Sequence, residues 1–144
     1  MEIIILFFLL LIIAWWYWLY RSNKADYKPA LHKKNRDLLS FSTPARQEDV
    51  IRMISKFAGE FGYRIQYLSL NEGIIILADQ VTAFKPAFYY PIYITQQLHA
   101  STEVEVGCLS RSPWANGKLK KRLHEQCYYS IFGALLASGS KVEK

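Results

Sequence analysis

His124 and Cys127 stand three residues apart in a stretch of helical periodicity, and that spacing puts an imidazole and a thiol on one side of a helix. Such a pair supports two chemistries, metal binding and thiol nucleophilic catalysis. A zinc site needs three or four converging ligands. Cys108 or His99 would have to supply the third. A nucleophilic thiol needs a depressed pKa, and no cationic or helix-end setting marks either cysteine for one. Cys127 also falls on the apolar stripe of its segment, where a buried thiol is the simpler account. Glu103 and Glu105 alternate with Val104 and Val106, as the solvated face of a strand does, and Asp79 ends an apolar run. No glycine-rich phosphate loop is present. The expectation is a protein with no catalytic residue, no metal ligand set and no cofactor.

The segment Ser110-Arg111-Ser112-Pro113-Trp114-Ala115-Asn116-Gly117 leads into Lys118, Lys120, Lys121 and Arg122. Basic residues in the first turn of a helix oppose its dipole, and an anion bound there relieves that cost. Arg111, Trp114, Lys118, Lys121 and Arg122 are therefore the expected contact surface for a partner or anion. Its ligand would be an anionic lipid, a phosphate or an acidic protein face. Dense aromatics beside basic charge also suit nucleic acid. Here the aromatics fall at alternating strand positions, which is ordinary sheet packing, so nucleic acid is not the expected partner.

These residues need elements to hold them. The chain has 144 residues, and about 100 of them are left for a domain once the N-terminal region is set aside. Thr43 as N-cap and Pro44 at the first position predict a helix, followed by the stripe Val50, Ile51, Ile54, Phe57, Ala58 and Phe61 and ended by Gly62. Residues 63–70 and 73–78 predict a hairpin around Asn71-Glu72-Gly73. A third strand covers 87–96, with Phe88, Tyr90, Ile92 and Ile94 on one face. Pro91 inside it points to a bulge or an edge position. Residues 102–109 alternate as a fourth strand, with Val104, Val106 and Cys108 inward. A last helix runs from about 116 to 137, with Leu119, Leu123, Cys127, Ile131 and Leu135 in one stripe. Short connections imply an antiparallel meander, and two helices on one face imply an α+β two-layer sandwich: helix, four-stranded antiparallel sheet, helix.

Upstream, residues 3–13 are aliphatic or Phe without a break, followed by Ala14 and the run Trp15-Trp16-Tyr17-Trp18-Leu19-Tyr20. About eighteen residues at ~1.5 Å each match the hydrocarbon thickness of a bilayer. Trp15, Trp16, Trp18, Tyr20 and Arg21 then lie where aromatic and basic residues prefer to be, at the headgroups. A secretory signal peptide would carry a basic start and small residues at its end. This segment starts with Glu2 and ends in Trp and Tyr, so a retained anchor is expected. Arg21, Lys24, Lys28, Lys33, Lys34 and Arg36 follow the span, against Asp26 and Asp37. The positive-inside rule puts the N-terminus outside and the domain in the cytoplasm, at a bacterial inner membrane or its equivalent. Two cysteines, in no CxxC pattern, suit that reducing side. The net charge of +6 favours anionic surfaces. The expected organisation is an anchor over 1–20, a basic juxtamembrane linker over 21–42, a domain over 43–137 and a polar tail over 138–144.

Val104-Glu105-Val106 running into Ser110-Arg111, a loop with Asn116-Gly117, and the basic start Lys118-Leu119-Lys120-Lys121-Arg122 form a strand–loop–helix pattern. That pattern resembles the bacterial domain-of-unknown-function family numbered 1499, over about the last fifth of the chain. Trp114-Ala115 depart from it, standing where that family tends to have Asp and Leu. The resemblance implies no activity, since that family has none established. The reading that follows from the sequence is a membrane-anchored, non-catalytic binding or assembly module contacting a membrane-protein complex or anionic lipid. The alternative is a small lipid- or metabolite-binding domain with a pocket between sheet and helices.

Overall fold

The computed structural model describes residues 1–23, 27–32, 37–79, 88–98, 100–111 and 117–139. Helix α1 spans Glu2–Asn23 and α2 spans Lys28–Leu31; then come strand β1 (Leu39–Thr43), helix α3 (Gln47–Ala58) and strands β2 (Tyr63–Ser69) and β3 (Ile74–Asp79). Strands β4 (Phe88–Gln96), β5 (Thr102–Val106) and β6 (Leu109–Ser110) precede helix α4 (Gly117–Ala137). The fold is α+β with an antiparallel sheet in the order β1-β5-β4-β3-β2, and β6 also pairs with β4. Strands β2 to β5 form the expected meander.

The expected four strands become six, for two reasons. First, β1 pairs with β5 across Leu39↔Val106 to Thr43↔Thr102. Its sequence Leu-Ser-Phe-Ser-Thr alternates, with Phe41 and Thr43 buried and Ser40 exposed, so the edge strand is built from Leu39 to Ser42 of the expected linker together with Thr43. Thr43 consequently belongs to the sheet and is not the cap of α3. That helix starts at Gln47, with Arg46 as its N-cap and no side-chain capping bond. The Thr43 hydroxyl instead accepts from the Ala45 amide at 3.3 Å, and the Thr102 hydroxyl donates to the Ala45 carbonyl at 2.6 Å. Second, the fourth strand is split. Pro91 lies in β4, a central strand, rather than at an edge. One register continues from Ile92↔Val106 to Tyr89↔Leu109, which sets Pro91 opposite Gly107. The Gly107 amide donates to the Pro91 carbonyl at 2.8 Å, but proline has no N–H to return, so the ladder lapses between β5 and β6. The bulge lies elsewhere, in edge strand β2 between Ile65 and Tyr67.

The two faces of the sheet are covered differently. On one, α3 and α4 pack over Phe41, Ile75, Leu77, Phe88, Tyr90, Ile92, Val104 and Val106. Most of the stripe that defines each helix is buried: Val50, Ile51, Ile54 and Ala58 on α3, and Leu123, Cys127, Ile131 and Leu135 on α4, with Phe57 and Leu119 half-buried. Helix α3 stops at Ala58, so Phe61 and the expected terminator Gly62 lie beyond it. Each fully buried aliphatic side chain contributes ~1.5–3 kcal/mol of transfer free energy. The other face carries a second, smaller core: Ile76, Ala78 and Tyr89 against Ala30, with Tyr27, Leu31 and Tyr67 around it. Here the stretch expected to be a linker adds a partial third layer. Ala30 is fully buried, its carbonyl accepts from the Tyr93 hydroxyl at 2.6 Å, and Tyr27 packs on Tyr67 with ring centroids 5.6 Å apart. Lys28-Pro29-Ala30-Leu31 carries too short a pattern to announce this from sequence.

Candidate functional site

Helix α1 is long and apolar enough over Ile3–Arg21 to cross a membrane, and none of that stretch is buried against the domain. Trp15, Trp16, Trp18, Tyr20 and Arg21 occupy its last turns, all exposed. Tyr27, which already packs on the domain, follows Asn23 by four residues. Four extended residues reach at most ~14 Å. The Cα atoms of Asn23 and Tyr27 are therefore within that distance of each other.

The basic start of α4 borders a cavity of the domain. That cavity has a volume of about 770 Å³ and is lined by Asp37, Leu39, Cys108, Gly117, Lys120, Lys121, His124 and Glu125. The 3.6-residue repeat explains which cations reach it. Lys120 and Lys121 line it, while Lys118 and Arg122 stand beside Lys121 outside the lining; all four are exposed. Arg111 does not join them. Its guanidinium stacks 4.7 Å from the Tyr89 ring centroid, on the opposite face of the sheet, and Nη1 donates to the Asp79 carbonyl at 3.4 Å. Trp114 lies outside the described residues. The structure thus brings together three of the five residues expected at the contact surface.

His124 is 7 % exposed at the cavity floor, and its Nε2 lies 2.6 Å from the Val106 carbonyl oxygen. A carbonyl only accepts, so Nε2 carries the proton and the other ring nitrogen is left for another partner. Cys108 Sγ lies 4.0 Å from the Lys120 carbonyl. Burial pushes its thiol up to about 12, and Lys120 pulls the other way without prevailing. Cys127 is also pushed up to about 12 by burial, deeper in the core. At neutral pH both are protonated thiols, the opposite of an activated nucleophile. Burial likewise raises the phenols of Tyr63 and Tyr90, whose rings meet edge to face at 5.2 Å. Asp79 anchors the end of β3 beside them: one carboxylate oxygen accepts the Phe88 amide at 2.7 Å and the other the Tyr90 hydroxyl at 3.3 Å. Among the described residues no three His, Cys, Asp or Glu side chains gather as a metal site.

Sequence reasoning names Lys120 and Lys121 in the basic start of the helix but does not place Asp37 or Glu125 beside them. The i, i+4 relation of Lys120 to His124 carries a trace of it, but Asp37 arrives only through the pairing of β1. No protein-family model matches the chain, and no curated protein matches it.

Proposed function

We propose that the chain is a single-pass membrane protein whose domain is a non-catalytic binding or assembly module, held at the cytoplasmic surface and contacting a membrane-protein complex or anionic lipid. The observation that carries this reading is the docking of Tyr27, Ala30 and Leu31 on the sheet directly after α1. A domain meant to act at a distance needs a free tether. This one is fastened within a few residues of the apolar helix, which suits a module working at the membrane surface. The aromatic end of α1 and the six basic residues after it supply the headgroup belt and the orientation signal. Lys118, Lys121 and Arg122 present exposed positive charge at the start of α4. Each basic residue near an anionic leaflet contributes ~1 kcal/mol of attraction. The resemblance to family 1499 adds no activity to this reading.

The test is isolation of the full chain in non-ionic detergent, with partners identified by mass spectrometry and retained lipids counted by native mass spectrometry. Replacing Lys118, Lys121 and Arg122 together by Gln should leave the melting temperature equal or slightly higher, because the dipole conflict is relieved. It should also strip the complex or the anionic lipids. A triple variant that keeps every partner and lipid contradicts the reading. The cavity of about 770 Å³ favours a second reading, a small lipid- or metabolite-binding domain, because its size falls within the usual range for ligand sites.

A further inference from the structure

The cavity at the base of α4 has a lining of mixed sign. Lys120 and Lys121 bring two ammonium groups, and Asp37 and Glu125 bring two carboxylates. None of the four has an ion-pair partner among the described residues. Opposite charges that line one surface often pair off. Here they frame an open volume, with His124, Cys108 and Leu39 as its less polar floor. A simple anion would be attracted by the lysines and repelled by the acids. A simple cation would meet the reverse. A molecule carrying both signs satisfies both halves.

We propose that this cavity binds a small zwitterion in which a phosphate and an ammonium group lie within a few bonds, as in phosphoethanolamine. Lys120 and Lys121 take the phosphate; Glu125 and Asp37 take the ammonium. Glu125 follows Lys121 by four residues on the same helix, so their backbones are ~6 Å apart along its axis and both side chains line the same cavity. A zwitterion with a two-carbon spacer is short enough to lie between them. His124, its Nε2 held by the Val106 carbonyl, offers its remaining ring nitrogen from the floor. This inference rests on the second reading of the function, the ligand-binding one. The same chemistry comes from two sources, a phospholipid headgroup or a free metabolite.

The experiment is calorimetric titration of the full chain in a maltoside detergent, which carries neither charge. Phosphoethanolamine should bind at least about tenfold more tightly than inorganic phosphate or ethanolamine alone, since each half gains a charge-assisted bond. Lys120→Gln should weaken phosphoethanolamine by about tenfold. Glu125→Gln should weaken it similarly while strengthening inorganic phosphate, because a repulsive carboxylate is gone. Lys121 is shared with the trio replaced in the partner and lipid test, so the variants that separate the two readings are Lys120→Gln and Glu125→Gln, which lie outside that trio. Transfer to nanodiscs containing phosphatidylethanolamine separates the sources. If the bilayer headgroup is the ligand, the soluble probe is displaced; if a free zwitterion is, its binding persists. Inorganic phosphate binding as tightly as phosphoethanolamine, Glu125→Gln leaving both affinities unchanged, or no binding of any probe overturns the proposal.

Discussion

The hydroxyl of Tyr93 donates to the carbonyl of Ala30 across 2.6 Å, tying the middle of the central strand β4 to the segment just after the apolar helix. Both residues are buried, so the bond is sheltered from competing water. Tyr93→Phe removes the donor and should cost about 1–3 kcal/mol, the usual penalty for stranding a buried acceptor. Urea unfolding of the full chain in non-ionic detergent measures it. Limited proteolysis should cut faster around residues 27–32 in the variant. Equal stability and equal cleavage would mean that this segment is not fastened by the bond.

Two glycines should respond in opposite directions. Gly73 has φ of +63°, its carbonyl accepts the Ile94 amide at 2.7 Å, and an added Cβ would collide with the Ile94 carbonyl oxygen. Gly73→Ala strains the β2–β3 turn and should cost several kcal/mol, on the order of an overpacked core site or more. Gly133 lies exposed within α4 with nothing within 4 Å of an added Cβ. Gly133→Ala should stabilise by about 0.4–1 kcal/mol, through lower entropy of the unfolded chain. Thermal melts of the pair read both signs.

Much of this architecture is legible in the sequence because it is local. The spacing of Val50, Ile51 and Ile54 marks the buried side of α3, and Phe88, Tyr90, Ile92 and Ile94 share the helix-covered face of β4 as alternation requires. What escapes is nonlocal. Strand β1 is a faint alternation whose partner, β5, is far along the chain, and the burial of Ala30 depends on Tyr93 from another strand. Pro91 is tolerated at the sheet centre because the lapse it causes falls on Gly107, where an added Cβ would sit 3.1 Å from the proline ring. The cavity is hidden for the same reason: Asp37 and Lys121 meet only once β1 has paired. A fragment beginning at Ser42 would lose most of β1 and all of the Ala30 contact, so the domain has to be studied with these residues present.

Burial of the two thiols makes stability fall in base. Their pKa values rise from an ordinary 9.0 to about 12 in the folded chain. Below pH 9 both states hold the protons and the thiols add no slope. Between about 9 and 12 the unfolded chain loses protons that the folded chain keeps, so stability drops as pH rises, by up to ~1.4 kcal/mol per pH unit per thiol. Tyr63 and Tyr90 are shifted the same way and add to the decline at still higher pH. The double variant Cys108→Ala, Cys127→Ala should be less stable at pH 7, through lost packing, yet show a shallower fall from pH 9 to about 10. Denaturant titrations across that interval check it. An unchanged slope would mean that the thiols ionise in the folded chain as readily as in the unfolded one.

Orientation should follow the basic residues. Arg21, Lys24, Lys28, Lys33, Lys34 and Arg36 come after the span, so the C-terminus is expected in the cytoplasm. A reporter active only outside the cytoplasm, fused after Lys144, should stay silent. Activity would reverse the orientation.

The reading of the domain as a module held at the membrane surface depends on α1 staying in the membrane. The most direct measurement is the intact mass of the protein recovered after membranes are washed in alkaline carbonate. The anchored chain should remain in the membrane pellet at its full 16.8 kDa. A product shortened by about the first twenty residues and released into the wash, as a cleaved signal peptide would leave, contradicts the account.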